Sequence, residues 1–118
     1  MNFKIVDGFY KNVYLPYQRT EFLCKLIGEK YGELGKMSDV KYAVYSKQVL
    51  DRLGVLATQI SQLSEFDETL PDDSHIKTII NFRAAGGIEW DDIAVLLGGN
   101  PREELKKYFK EMEVNSGS

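Results

Sequence analysis

Two glycine pairs, Gly86-Gly87 and Gly98-Gly99, cut the last third of this chain into three short apolar segments, and no other feature limits the possible folds as strongly. Glycine adopts left-handed backbone conformations without steric cost, so a pair of glycines closes one helix and lets the next leave at a new angle. The first segment starts at Asp73 or Ser74, either of which can accept hydrogen bonds from the unpaired amides of a helix start, and runs to about Ala85. Ile76, Ile79, Ile80 and Arg83 share one side of it, with Phe82 beside them. The second begins near Glu89, where Glu89, Asp91 and Asp92 place negative charge at the positive end of the helix dipole. Its inward stripe is Trp90, Ile93, Ala94 and Leu97. Asn100 caps the third, with Pro101 at the first position, where a missing N–H costs nothing. Leu105, Tyr108, Phe109 and Met112 lie inward there, while Arg102, Lys106 and Lys110 recur every four residues on another face, with Lys107 alongside.

Upstream the signals differ. Phe3 to Val6, then Asp7-Gly8, then Phe9 to Leu15 read as a short β-hairpin, because Asp-Gly suits a type I′ turn and the flanks are aromatic and β-branched. Pro16 stops the second strand. An irregular N-terminal arm is the other reading. Thr20 serves as N-cap of a helix carrying Phe22, Leu23, Leu26, Ile27 and Tyr31, which Gly32 and Gly35 end. Ser38 caps the longest helix, whose wide stripe includes Val40, Tyr42, Val44, Tyr45, Val49, Leu50, Leu53, Leu56, Ile60 and Leu63. Gly54 either breaks that helix or admits a close backbone, and a continuous helix is favoured. From Ser64 to Asp73 periodicity gives way to acid and proline.

The fold class is therefore mainly α: a short N-terminal β-hairpin, two longer helices, and a C-terminal three-helix unit. Residues 1–65 form a docking or dimerisation part, 66–72 an acidic linker, 73–112 the three-helix unit and 113–118 a flexible tail. With 118 residues the chain can bury a core without metal or disulfide support. Apolar residues at 43% and charged residues at 28% place it among globular chains.

From the first helix through Gly86-Gly87-Ile88 and Trp90-Asp91-Asp92-Ile93-Ala94-Val95-Leu96-Leu97-Gly98 to Tyr108-Phe109, about a third of the chain resembles the SANT/Myb class of tri-helical helix-turn-helix units. That resemblance implies that Trp90 anchors the core of the unit, together with Ile93, Leu97, Leu105 and Phe109, and that the third helix binds DNA or a protein surface. The tryptophans usual at the starts of the first and third helices are absent.

Chemistry excludes more than it assigns. His75 is the lone histidine and Cys24 the lone cysteine, so no internal disulfide can form, a metal cage would have to come from carboxylates alone, and no calcium loop is present. No metal or cofactor is expected. A Cys24–His75 nucleophile pair requires a meeting in space that nothing in the sequence indicates. No phosphate-cradling glycine loop appears, and the chain reads as a binding protein, not an enzyme. The first residues lack a cationic region followed by a long apolar one and no run suits a membrane span, so secretion and insertion are not expected; the single cysteine makes a reducing, cytoplasmic compartment the expectation.

Two partner classes remain, DNA and protein. Arg102 can bind guanine bidentately, and Lys106, Lys107 and Lys110 can neutralise phosphates. A solvated face with internal pairs such as Glu103–Lys107 is the other reading. A net charge of -3 requires any nucleic-acid contact to be local. The acidic cluster Glu65, Asp67, Glu68, Asp72 and Asp73 suits either a solvated linker or a basic partner. Seven tyrosines, most of them in the N-terminal part, suit docking or a homodimer.

Overall fold

The computed structural model describes the backbone of residues 1–34, 40–72 and 74–116 and the side chains of 1–29, 43–72 and 74–114. Every regular element among these residues is helical. Asn2, in extended conformation, caps the first helix, its side-chain oxygen accepting from the Ile5 amide at 2.9 Å. This helix, α1, covers Phe3–Phe9, passes without a break through a π-helical turn at Tyr10–Tyr14, and continues as α2, Leu15–Leu34.

The N-terminal β-hairpin is thereby corrected to helix, with Asp7-Gly8 inside it. Val6, Phe9 and Val13 recur at three and four residues, and all three are buried in the main core. Burying that stripe outweighs the turn preference of Asp-Gly and the roughly 1 kcal/mol that glycine costs within a helix. Pro16 does not end the segment either. Proline lacks an N–H and crowds the carbonyl four residues back. The π turn just ahead, where the Leu15 amide donates to the Tyr10 carbonyl five residues back, widens the backbone at that point. Thr20, expected as an N-cap, instead lies within α2 and is buried.

Helix α3, Val40–Glu68, is continuous through Gly54, and a Cβ there would meet nothing within 4 Å. Ser38 and Asp73, two expected caps, lie outside the described residues, and Ser74, the alternative to Asp73, occupies the N-cap position without the expected side-chain hydrogen bond. Helices α2 and α3 pack against each other as a two-helix arm. Val44, Tyr45 and Leu50, expected in the core stripe of α3, are 52%, 46% and 59% exposed. One partner helix can cover only a narrow stripe, and Val49 and Leu56 fill it.

Beyond Glu68 follow α4, His75–Ile80, a second π turn at Asn81–Ala85, α5, Trp90–Leu97, and α6, Pro101–Ser116. Gly87, Gly98 and Gly99 have φ of 64°, 78° and 66°, so each uses the freedom only glycine has at a helix end. A single core joins Val6, Phe9 and Val13 to Leu56 and Leu63 of α3 and to Ile79, Ile80, Ala84, Leu105 and Phe109. It spans the segment read as a linker: α3 continues through Phe66, which stacks on Phe109 at 5.7 Å, and Leu70 is buried. The arm makes the molecule long, 57 × 36 × 21 Å. Among the described residues no helix is long and apolar enough to cross a membrane.

Candidate functional site

Helix α6 is fixed at its start by Asn100, whose side-chain oxygen accepts from the Glu103 amide at 3.4 Å, and by Pro101, which is buried. Leu105 and Phe109 turn inward, with Tyr108 edge-on to Phe109 at 5.6 Å. Met112, expected inward, is 38% exposed. The cations lie outside this buried face. The Arg102 guanidinium stands 5.8 Å from the Phe3 ring centroid and the Lys106 ammonium 5.3 Å from it, and Lys106 also reaches Glu103 at 3.7 Å. Lys107 and Lys110 are exposed and, among the described residues, form no ion pair. The expected Glu103–Lys107 pair is not formed, since Glu103 turns to Lys106.

Between α1 and α6 runs a groove of about 440 Å³ lined by Phe3, Lys4, Lys106, Phe109, Lys110 and Glu113, among others. Lys4 therefore joins the cation set, a residue the sequence reading placed in a strand. Asn2 is the local signal that could have revealed it, as an N-cap three residues ahead of Ile5. The acidic residues Glu103, Glu104 and Glu111 share the surface of α6, and Glu104 is engaged by His75 Nε2 at 3.1 Å.

A polar cluster sets where α1 sits. The Trp90 indole N–H donates to Asp7 Oδ1 at 2.7 Å, and Arg83 Nε donates to the same oxygen at 3.0 Å. Arg83 Nη1 also donates to the Ile88 carbonyl at 2.9 Å, and the guanidinium lies 5.2 Å from the Trp90 ring centroid. Phe3 stacks on Trp90 at 6.0 Å with an interplanar angle of 18°. Trp90 is partly buried, whereas Ile93 is fully enclosed and Leu97 packs at the core edge. The chain from α5 to Phe3 to Arg102 and Lys106 thus places α1 against the first turns of α6.

The remaining sequence candidates are dispersed. Cys24 is half-buried in the arm and His75 contacts Glu104, and no hydrogen bond joins the two. Among the described residues no three metal-ligating side chains come together. In the acidic cluster, Asp72 pairs with Lys77 at 3.1 Å, while Asp67 turns inward and its Oδ1 is buried without a hydrogen-bond partner. Burial pushes the Asp67 carboxyl above its ordinary value, opposed by Lys77 and aided by Glu68. The Tyr14 hydroxyl is raised by burial and by Asp67. Tyr10, Tyr14, Tyr17 and Tyr108 are partly buried, Tyr45 is exposed, and the side chains of Tyr31 and Tyr42 lie outside the described residues.

Family models, curated proteins and solved structures yield no match to this chain.

Proposed function

We propose that this chain is a small, non-enzymatic regulatory protein that binds DNA through α6, the third helix of a helix-turn-helix-like unit formed by α4 to α6. The observation that carries this reading is the placement of Lys4, Lys106 and Lys110 along one groove, with Arg102 near the Phe3 ring that also lines it and Lys107 exposed on the same helix. A chain of net charge -3 repels DNA at long range, so binding needs a local concentration of cations within about a Debye length, roughly 10 Å at 0.1 M salt. Lys107 and Lys110 supply phosphate contacts without disturbing the fold, because neither packs on an aromatic ring.

The test is fluorescence anisotropy with random-sequence duplex at several salt concentrations. Binding at low salt should weaken with a slope of about -0.9 per phosphate neutralised. The Lys107→Glu/Lys110→Glu variant should lose most affinity while keeping its far-UV circular dichroism. No binding at about 0.02 M salt, where counterion competition is weakest, removes the reading.

A second reading is favoured by a different surface. Val95 and Leu96 on α5 are 84% and 62% exposed beside Asp91 and Asp92, an apolar spot with an acidic rim that suits a protein partner. An adaptor of this kind binds no random duplex at any salt concentration, and its binding to a protein partner is lost on Val95→Asp.

A further inference from the structure

We propose that α2 carries a self-complementary seam through which two copies of this chain pair antiparallel. Leu15, Arg19, Phe22 and Leu26 follow one another at spacings of four, three and four, the repeat that keeps one stripe of a helix facing a second helix. They lie away from the side of α2 that holds the buried Thr20 and half-buried Cys24 and Ile27 against α3. Phe22 is 63% and Leu26 39% exposed, although both are large apolar side chains on a helix otherwise packed by its neighbour.

The occupant follows from charge and symmetry. A two-fold axis passing level with Cys24 sets Phe22 against the second copy's Leu26, and Arg19 against the second copy's Glu29, each contact occurring twice. Among the described residues neither Arg19 nor Glu29 makes an ion pair within its own chain. Between Arg19 and Glu29 the same surface thus offers apolar residues to each other and opposite charges to each other, as an isologous interface requires. A strongly acidic or strongly basic partner would leave one of the two charges opposed. The paired stretch from Arg19 to Glu29 is about 15 Å long. That is the small end of specific interfaces, so dissociation in the micromolar range is expected. The pairing does not depend on DNA binding.

The experiment is sedimentation equilibrium of the full chain from about 1 to about 200 µM, a range bracketing micromolar affinity. A reversible dimer is expected, and Phe22→Glu/Leu26→Glu should be monomeric throughout with unchanged circular dichroism. Arg19→Glu places like charges together and should weaken the dimer by at least about tenfold. Adding Glu29→Arg restores opposite charges at both contacts and should recover the wild-type dissociation constant. A monomer across the whole range overturns the proposal, as does a dimer indifferent to Phe22→Glu/Leu26→Glu or a charge exchange that fails to recover affinity.

Discussion

Trp90 and Asp7, 83 positions apart in sequence, are joined by an indole N–H that donates to the Asp7 carboxylate at 2.7 Å. The same carboxylate oxygen accepts from Arg83, so one acidic side chain holds α1 to two elements of the C-terminal part. Asp7→Ala should cost about 2 to 3 kcal/mol, since it leaves a guanidinium and an indole N–H without their shared acceptor. Urea denaturation followed by the emission of Trp90, the lone tryptophan, measures both the loss and the changed ring environment. A change within about 0.5 kcal/mol, typical of an ordinary surface position, would remove Asp7 from this role.

Gly87 offers a second test of how α1 is seated. Its φ of 64° disfavours any side chain, and a Cβ there would run into the ring of Tyr10. At Gly98 φ is 78° but the space is open. Gly98→Ala should cost about 1 to 2 kcal/mol, the backbone penalty alone, and Gly87→Ala distinctly more. Tyr10→Ala should reduce the cost of Gly87→Ala, a coupling that a double-mutant cycle reads directly. Equal costs at the two glycines would show that the ring contact contributes nothing.

The cations of α6 divide by what they touch. Arg102→Ala and Lys106→Ala should each lose about 0.5 to 1 kcal/mol of stability through their contact with Phe3. Lys107→Ala and Lys110→Ala should stay within about 0.5 kcal/mol of wild type. Denaturation midpoints decide between this split and four equivalent surface residues.

Asp67 predicts a pH dependence with a definite sign. Its folded-state pKa is raised, so between the ordinary carboxylate value, about 3.9, and that raised value the folded chain binds more protons than the unfolded one. Stability contributed by this group is complete below the ordinary value and is lost as pH rises through the raised one. Asp67→Asn should therefore melt higher than wild type at neutral pH and show a flatter profile across the window. A variant that parallels wild type at every pH would assign the dependence elsewhere.

What the sequence reveals here depends on how local the determining interaction is. The breaks between the last three helices are legible because Gly86-Gly87, Gly98-Gly99 and Asn100-Pro101 act on their own backbone, whereas α6 runs on to Ser116 through residues read as a flexible tail. The first helix is not. Val6, Phe9 and Val13 find their burial partly against Ile79, Ile80 and Leu105, more than sixty positions away, while the nearest signal, Asp7-Gly8, points to a turn. The cation set on α6 is legible as a four-residue repeat, but Lys4 enters it only because that distant packing makes α1 helical and lays it beside α6. Arg102 and Lys106 read as free cations in sequence, since nothing there brings Phe3 beneath them.

The π turn at Tyr10–Tyr14 sets a phase. Relative to a plain α-helix it accommodates one additional residue, and each residue turns an α-helix by about 100°. Everything downstream on the same rod, including the row Leu15, Arg19, Phe22 and Leu26, is angularly indexed to the stripe Val6 and Phe9 by that single residue. Were the same residues wound as plain α-helix instead, the row would swing by about 100° about the helix axis with its composition intact. Thr20 would then face outward and Arg19 or Phe22 would be carried toward α3. The direction in which the arm presents its outer surface is thus set by the wider winding of that turn, not by any side chain on that surface.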